Sequence, residues 1–561
     1  MNGALLLIIG IVFFALAYVF YGRYLARLFG VDVTRPTPAH TQRDGVDYVP
    51  TRLPVLFGHH FASIAGAGPI VGPILAAYLG WGPVVLWVLF GCVFVGATHD
   101  FAALFLSIRH GGRSIGNVIE DQLGYTGRQL FLVFCWAALI LVVAIFAILV
   151  AKTFVSTPAV ATASLLFIAM APVFGYLVYR KGLSVLVGSL IFVPPLFAFI
   201  WVGAKLPIDL VAMGLSPEHA QQAWLAVLLI YVAVASVVPV WILLQPRDYL
   251  NSYLLYAMLL MGILGIFVAA PHFNLPAFTG WSATTPQGGI GHLFPILYVT
   301  VACGACSGFH ALVASGTTAK QLNSEADIKP IGYGAMLVEG LVALMAITSV
   351  AVLSKADYLA VLRSGSPVDA FAAGLAGFTA RLGLGAEVGK TFFALAISAF
   401  LLTTLDTATR LARFCWQELF LPREGAAPAT GAPAWQRIAS HAVTATLIAV
   451  FVSGYLAYSG NAAQIWPVFG ASNQLLAALT LLIVTLVLVR RRANFWIALV
   501  PMAFMSTITV WALIQLLKRY YGAPGGLALV LATAFLLVMA VILAIQSVMS
   551  LRRLKPVVEG A

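Results

Sequence analysis

Long runs of apolar residues, separated by short polar stretches, follow one another along almost the whole chain. A run of about 20 apolar residues is what a helix needs to cross the hydrocarbon core of a bilayer. The pattern predicts fifteen membrane-spanning helices, at 3–22, 53–79, 82–108, 128–151, 157–178, 184–204, 222–245, 250–270, 290–316, 332–354, 390–410, 438–459, 464–489, 495–517 and 526–551. The segment 369–389 is only moderately apolar and rich in Gly and Ala, which leaves open whether it is amphipathic, re-entrant or spanning.

The composition agrees with a polytopic, all-α membrane protein. Hydrophobic residues make up 61% of the 561 residues and charged residues only 9%, against about 25% charged residues in an ordinary soluble domain. The net charge of +12 comes from basic residues scattered singly along the chain, without the basic groove and interleaved aromatics of a nucleic-acid-binding protein. The five cysteines lie in or beside apolar runs, which argues against a disulfide framework.

The loops show an alternating charge bias. Most of the 31 Lys and Arg residues, Arg247 among them, fall in every second loop, and the positive-inside rule places these loops in the cytoplasm. We therefore expect the N-terminus outside and the C-terminus inside. The first run has no basic residues before it and no cleavage site after it, so we interpret it as a retained helix rather than a signal peptide. Turn signals at 43–51 fit either an ordered cytoplasmic plug or a solvated linker.

Two of the predicted spans contain residues that disfavour a helix. Gly-Ala-Gly-Pro occupies 66–69 in the second span, and Cys-Gly-Ala-Cys-Ser occupies 303–307 in the ninth. In a helix Gly costs about 1 kcal/mol and Pro about 3 kcal/mol relative to Ala. In lipid, the backbone groups that a break frees are tolerated only where they line a cavity or are buried in protein. We therefore predict two discontinuous helices at a binding site.

The two interrupted spans share a sequence pattern. Residues 58–66 and 308–316 both read G-x-H-x5-G, which is either chance or the trace of an internal repeat. Because these spans are the second and the ninth, they are expected to cross in opposite directions, as in an inverted repeat. The predicted organisation is 1–52, the first transmembrane helix and a cytoplasmic loop; 53–204, inverted repeat 1; 205–289, an inserted helical hairpin; 290–489, inverted repeat 2; and 490–561, C-terminal peripheral helices.

Ionisable side chains inside the predicted spans cost about 2.5–3.5 kcal/mol each on insertion scales. Asp100, beside His99 in the third span, either faces a cavity or hydrogen-bonds a helix terminus. Glu339 stands alone among apolar residues of the tenth span; it suits a proton carrier, because burial favours its protonated form, or a structural pair with a distant Arg or His. Asp406 lies four residues before Arg410, the spacing of an ion pair within one helix.

Histidines and hydroxyls lie near the predicted breaks. His59, His60 and His310 change charge near neutral pH, although a single histidine in a membrane is more often a packing residue. Thr403 and Thr404 are placed either to bind Na⁺ opposite the carbonyls of an unwound helix or to bond back to their own helix.

Several stretches are long and distinctive: Asp44–Thr51, Phe57–Ile70, His99–Phe101, Ser307–His310 with Ser315–Thr318, Leu402–Arg410 and Trp466–Gln474. Together they resemble the carbon starvation protein A (CstA) family. The resemblance implies an inner-membrane carrier that imports peptides or pyruvate by alternating access when carbon is scarce, driven by protons. It also implies the five-plus-five inverted repeat of the amino acid–polyamine–organocation superfamily, a LeuT-like fold with discontinuous helices.

We expect the substrate to lie between the breaks at 64–69 and 303–308. The predicted substrate contacts are Ser63, Gly66, Gly68, Ser307, Gly308, Thr317, Asn473 and Gln474. The predicted proton-coupling groups are His59, His60, His99, Asp100, His310, Glu339 and Asp406, and the possible sodium site is Thr403 with Thr404.

The expected partners are a small-molecule or peptide substrate and membrane lipid, with no nucleic acid. Apart from H⁺ or Na⁺ as the coupling ion, no cofactor or metal is expected. The alternatives are Na⁺-coupled uptake of a small carboxylate and a membrane sensor that binds a nutrient without moving it. An intramembrane metalloenzyme built on His59, His60, His99 and Asp100 is disfavoured, because the chain has no H-E-x-x-H or similarly spaced ligand set. We therefore do not expect an enzyme.

Overall fold

The computed structural model describes residues 1–45, 47–239, 242–286, 288–420, 433–459, 462–522 and 526–552. The helices in these ranges are α1 (Gly3–Phe29), α2 (Pro38–Thr41), α3 (Leu53–Ile64), α4 (Gly68–Ala76), α5 (Trp81–Phe90), α6 (Ala97–Arg109), α7 (Ile115–Ser156), α8 (Pro158–Gly175), α9 (Val185–Lys205), α10 (Pro217–Val237), α11 (Leu244–Ala269), α12 (Tyr298–Thr300), α13 (Phe309–Gly316), α14 (Ala335–Ala351), α15 (Lys355–Ser364), α16 (Pro367–Thr379), α17 (Ala386–Glu418), α18 (Ala434–Ala439), α19 (Ala442–Ser459), α20 (Ala462–Arg490), α21 (Trp496–Tyr520) and α22 (Leu527–Arg552). Two short antiparallel strands are β1 (Ser282–Thr284) and β2 (Ile290–His292). Short π-helical or 3₁₀ turns lie at Ala77–Leu79, Gly91–Gly96, Tyr176–Arg180, Leu293–Leu297, Thr318–Lys320, Glu325–Asp327, Lys329–Gly334 and Ala380–Leu382.

Thirteen helical segments of the described chain are long and apolar enough to cross a membrane. They coincide with thirteen of the predicted spans, which confirms a multi-pass helical membrane protein. The other two predicted spans, 53–79 and 290–316, are interrupted in the structure. The bent pair formed by α3 and α4 has the length and hydropathy of one further span, which gives up to fourteen. The count of fifteen is therefore not confirmed.

The segment 369–389 is not a single element. It contains most of α16, a turn and the start of α17. α16 has 13 residues and is therefore about 20 Å long, too short to span a bilayer. At its other end α17 continues to Glu418, so the predicted loop 411–437 begins as helix, and residues 421–432 of that loop lie outside the described residues.

The centre of the bundle is formed by α7, α14, α17 and α20, whose apolar side chains are almost all buried. α17 packs against α7, α16 and α19, and α20 packs against α7 and α21. Large apolar side chains are exposed on the outer helices α1, α9, α10, α19, α21 and α22. Extended exposed apolar surface of this kind fits contact with lipid rather than water.

Local signals determine the two ends of α1. The Asn2 side chain accepts a hydrogen bond from Ala4 N at 2.8 Å, which caps the first turn. Gly30 follows the last residue with a φ of +69°, a left-handed conformation that glycine adopts without strain and that ends many helices. The helix therefore runs seven residues further than the apolar run 3–22 predicts, up to the glycine.

The loops define two faces of the bundle. We call the face that carries residues 30–45, 47–52, 110–114 and 317–325 the loop face. We call the face that carries residues 77–81, 271–286 and 288–292, including the two strands, the hairpin face.

The loop face is an ordered layer. Thr51 N donates a hydrogen bond to Gln321 O at 3.0 Å, and the Tyr48 hydroxyl donates to Gly111 O at 3.2 Å. Burial, together with the neighbouring carboxylate of Asp47, raises the pKa of Tyr48, so the hydroxyl stays protonated and keeps this bond. Residues 48–51 therefore pack against neighbouring loops, whereas Arg43, Asp44 and Asp47 are exposed. The cytoplasmic plug stays a prediction.

Candidate functional site

The first interruption separates α3 from α4. α3 ends at Ile64, α4 begins at Gly68, and the two are bent by 41°. A Cβ atom on Gly66 would lie 2.7 Å from Thr404 Oγ1, and one on Gly68 would lie 2.3 Å from the Cβ of Cys303. A side chain at either position would overlap a neighbouring side chain, Thr404 of α17 or Cys303 of the second interruption, unless that neighbour moved.

The second interruption separates α12 from α13, and residues 301–308 between them form no regular helix. Asn473 of α20 fills this gap. Its backbone carbonyl accepts from Gly308 N at 3.1 Å, and its Oδ1 accepts from Phe309 N at 2.9 Å and from the Ser307 hydroxyl at 3.3 Å. The two N–H groups at the start of α13 are therefore bonded by Asn473 in this structure.

Replacing Asn473 with Ala is expected to lower the free energy of unfolding by about 1–3 kcal/mol. The variant leaves the buried Phe309 N–H without its acceptor, and a buried unsatisfied donor costs about this much. Denaturant unfolding of the purified protein in detergent measures the change. Asn494→Ala is the matched control, because the Asn494 side chain is exposed where it donates to Tyr24; an equal loss in both variants would contradict the prediction.

The two interruptions contact each other inside the bundle. Cys303 lies against Gly68, and a Cβ atom on Gly72 would lie 2.6 Å from Thr300 O. α3 begins at the loop face and α4 ends at the hairpin face, whereas the segment 290–316 begins at the hairpin face and ends at the loop face. The two interrupted segments therefore cross the bundle in opposite directions, side by side.

Replacing Gly68 with Ala is expected to destabilise the protein by about 1–3 kcal/mol, the usual cost of overpacking, because the new methyl group overlaps Cys303. Thermal unfolding of the purified protein measures this as a lower melting temperature. The double variant Gly68→Ala, Cys303→Gly removes the overlap and should recover part of the loss. Gly377→Ala in α16 is the control, since no atom lies within 4 Å of the added Cβ. Equal melting temperatures for the Gly68 and Gly377 variants would overturn the prediction.

A chain of buried ionisable side chains lies beside the second interruption. Asp100 of α6 is hydrogen-bonded to Nδ1 of His99 and to Nδ1 of His310, each at 2.7 Å. Nε2 of His310 lies 3.3 Å from Oε2 of Glu339. All four side chains are fully buried. Imidazoles gain a proton near neutral pH and buried carboxylates can hold one, so the four groups together are able to store a proton.

The structure shows which partners these residues have, and their role in proton coupling stays a prediction. The two bonds described for the Asp100 carboxylate go to histidines and not to a helix terminus. Glu339 is not alone, because His310 reaches it from α13. His60 is fully buried but bonds elsewhere: its Nδ1 lies 2.8 Å from Thr318 Oγ1, and its Nε2 has no partner among the described residues.

A second group of buried charges joins α10, α11 and α17. Arg247 donates hydrogen bonds to the Asp406 carboxylate and to the Tyr231 hydroxyl. Nη2 of Arg247 lies 3.5 Å from Oδ1 of Asp248, and Oδ2 of Asp248 lies 3.5 Å from Nδ1 of His59 on α3. This group connects the region of the predicted inserted hairpin to the first interrupted helix.

Two predictions about these charges are wrong. The sequence predicts Arg247 in a loop, but the residue lies in the first turn of α11 and is fully buried. The spacing predicts an ion pair between Asp406 and Arg410, but Arg410 donates to the carbonyls of Ala235 and Val238, at 2.9 and 2.6 Å. A helix start was readable at 245–248, where Gln-Pro-Arg-Asp precedes an apolar run.

The hydroxyls of the predicted sodium site behave differently from each other. Thr403 Oγ1 donates to Ala399 O at 3.0 Å and accepts from Asn251 Nδ2 at 2.6 Å, so this residue bonds back to its own helix. Thr404 Oγ1 lies 3.5 Å from Ser63 O, at the end of α3. Only Thr404 therefore faces the first interruption.

The remaining predicted substrate contacts have protein partners. The hydroxyls of Ser63 and Thr317 each donate to the carbonyl four residues earlier in the chain, and the Gln474 amide donates to Tyr298 O. Ser63 and Thr317 also line a cavity of about 60 Å³, so their role as substrate contacts stays a prediction. In the part of the chain that the structure describes, no group of three or more His, Cys, Asp or Glu side chains is arranged to hold a metal ion.

In the described ranges of the chain, thirteen long apolar helices, with two interrupted segments that meet beside a chain of buried charges, define a multi-pass helical membrane protein. The chain belongs to the CstA family: the sequence profile described as "Carbon starvation protein CstA" matches residues 2–365 and 359–512.

Relatives of the chain include transporters of two kinds. The "Peptide transporter CstA" of Escherichia coli K12 is 35% identical, over 91% of this chain and 80% of its own. The "Pyruvate/proton symporter BtsT" of the same organism is 33% identical, over 89% of this chain and 80% of its own. Among solved structures, a manganese transporter of Eremococcus coleocola covers 91% of this chain and 99% of its own with 13% identity and a TM-score of 0.49. A TM-score below 0.5 is too low to assign the fold from this likeness.

Proposed function

We propose that this protein is a secondary active transporter that imports a peptide or pyruvate across the membrane by alternating access, coupled to protons. The names of its relatives support transport, since one is a peptide transporter and another a pyruvate/proton symporter. The observation that carries the proposal is the contact between two oppositely directed, interrupted helices beside Asp100, His310 and Glu339. Interrupted helices of this kind are where transporters bind substrate and coupling ion.

Alternating access follows from the way the two interrupted segments cross. In the proposal they belong to two five-helix inverted repeats, 53–204 and 290–489, with the N-terminus outside and the loop face in the cytoplasm. Each interruption is a point at which a half-helix can tilt without breaking a continuous ladder of hydrogen bonds. Tilting α3 opens a path to the loop face, and tilting the segment that precedes α12 opens one to the hairpin face.

Proton coupling is assigned to the chain of buried charges. Protonation of Glu339 removes its attraction for a protonated His310, whose imidazole sits 3.3 Å away. His310 lies in the first turns of α13, directly after the second interruption. A proton on Glu339 and a substrate at the interruption therefore act on the same half-helix, which is the physical link that symport requires.

Uptake into proteoliposomes tests the proposal. Labelled pyruvate and L-alanyl-L-alanine are offered separately, each with an imposed proton gradient, with an imposed sodium gradient and with neither. We expect one of the two to accumulate with the proton gradient alone, and a protonophore to abolish this accumulation. Binding of a ligand with no accumulation under any gradient would contradict transport and favour a sensor.

Sodium coupling is the second candidate, and one contact favours it. Thr404 Oγ1 of α17 lies 3.5 Å from Ser63 O at the end of α3, beside the first interruption, and oxygen atoms are the ligands that Na⁺ requires. Accumulation driven by the sodium gradient alone, and lost in Thr404→Val but not in Thr403→Val, would replace the proton in the proposal.

A further inference from the structure

Two adjoining cavities lie between the first interruption and the loop face. The smaller, of about 60 Å³, is lined by His59 and Ser63 of α3 and by Arg410 of α17. The larger, of about 260 Å³, is lined by residues of α7, α13 and α17. Asp47 and Lys320 line both, so the two cavities share part of their wall. Together they form a space, lined by both apolar and charged side chains, that reaches from the last turn of α3 toward the loop face.

Three cationic side chains line this space: Arg113 lines the larger cavity, Arg410 the smaller one, and Lys320 both. Arg410 and Lys320 are therefore the two at the smaller cavity. Arg410 is only 7% exposed, and its Nη2 is the atom that bonds the carbonyls of Ala235 and Val238. Lys320 is half-buried, and its Nζ lies 5.6 Å from the centre of the Tyr48 ring. Neither side chain forms an ion pair with a carboxylate of the described residues.

The acids near these two cations have other partners or face solvent. Glu418, which lines the larger cavity, accepts a hydrogen bond from the Ser114 hydroxyl at 3.2 Å. Asp406, one helical turn before Arg410, is bonded to Arg247. Asp47 is exposed where it lines both cavities. Arg410 is buried with carbonyl oxygens as its hydrogen-bond partners, and a buried cation is costly without a full counter-charge. A ligand anion in this space would therefore stabilise it.

We propose that Lys320 and Arg410 form a carboxylate-binding station in which the transported molecule is held between the first interruption and the loop face. The inference rests on the transport function proposed above and adds a second position for its substrate. A guanidinium presents paired N–H donors that match a carboxylate, and an ammonium adds a compact charge. The smaller cavity has room for a carboxylate group, and the larger one for the rest of the molecule.

The carboxylate can come from a small keto acid or from the C-terminus of a short peptide. A substitution of Asp47 distinguishes these two ligands. A peptide also carries an ammonium group, which the Asp47 carboxylate can bind at the shared wall. Pyruvate has no such group. Loss of the Asp47 charge should therefore lower the affinity for a dipeptide and leave the affinity for pyruvate unchanged.

Binding to the full-length protein in lipid nanodiscs tests the station, with pyruvate, L-alanyl-L-alanine and L-alanyl-L-alanine amide as probes in titration calorimetry. Whichever of the two carboxylates binds to the wild-type protein, its affinity for Lys320→Gln is expected to be about tenfold lower, because one charge-assisted contact is lost. Lys320→Arg should retain most of the affinity. The amide lacks the carboxylate and should show no dependence on Lys320. The affinity of Asp47→Asn then identifies the ligand: a lower affinity indicates a peptide, and an unchanged affinity indicates a keto acid.

Lys329→Gln is the matched control, because Lys329 also lies over a tyrosine ring, 4.2 Å from the centre of Tyr18, and lines neither cavity. Unchanged affinity in Lys320→Gln, an equal loss in Lys329→Gln, or no binding of either carboxylate to the wild-type protein would overturn the station. Uptake by the same variants separates the two proposals. If Lys320→Gln transports normally and binds with unchanged affinity, the proposed station is wrong and the transport function stands. If binding depends on Lys320 but no substrate accumulates, the transport function is wrong and the binding site stands.

Discussion

Replacing Glu339 with Gln is expected to lower proton-driven accumulation of the substrate by at least about tenfold. Exchange of labelled for unlabelled substrate across the membrane should continue. The amide keeps the shape of the side chain but cannot take up or release a proton. Exchange needs only movement of the loaded carrier, whereas accumulation needs the proton to dissociate on one side. Asp100 would still hold His310 in place through its 2.7 Å hydrogen bond, so the fold around the site should persist.

The measurement compares uptake under a proton gradient with counterflow in the same proteoliposomes. Glu218→Gln is the control, because Glu218 is exposed in the first turn of α10 and should leave both rates unchanged. Accumulation that persists in Glu339→Gln would remove this residue from the coupling mechanism. Loss of both activities, with a lower melting temperature, would assign Glu339 a structural role instead.

Replacing Arg247 with Met is expected to destabilise the protein by about 3–5 kcal/mol, the cost of breaking a buried ion pair from one side. The substitution leaves two buried carboxylates, Asp406 and Asp248, without the cation that lies between them. Asp406→Asn should cost less, because Arg247 still has Asp248 at 3.5 Å. The double variant Arg247→Met, Asp406→Leu should be more stable than Arg247→Met alone, since it removes one of the stranded charges.

Unfolding of the purified protein in detergent, followed by melting temperature and by denaturant titration, ranks these variants. Arg23→Met is the control, because Arg23 is exposed near the end of α1 and its loss should change stability little. If Arg247→Met and Arg23→Met unfold alike, the buried group does not hold α10, α11 and α17 together as described.

The candidate site was only partly readable from the sequence. His310 and Glu339 are separate anomalies in two apolar runs, and each predicts a function by itself, but their contact across α13 and α14 is invisible in either run. The same holds for Asn473, which reads as a free amide near the site and in the structure caps α13. For Arg247 the error lies in the helix boundary. A search for apolar runs leaves out the charged first turn of α11, so it places this buried residue in a loop.

The sequence by itself determined the approximate positions of thirteen long apolar helices and of both interruptions, because run length and the presence of Gly or Pro act within a few residues of chain. It also determined the family, through motifs such as Phe57–Ile70. Only the tertiary structure decided which charges are partners: Asp406 with Arg247 rather than Arg410, and Asp100 with His310. The partner of a buried charge depends on which helices pack together, and that packing is set by contacts between residues more than a hundred positions apart.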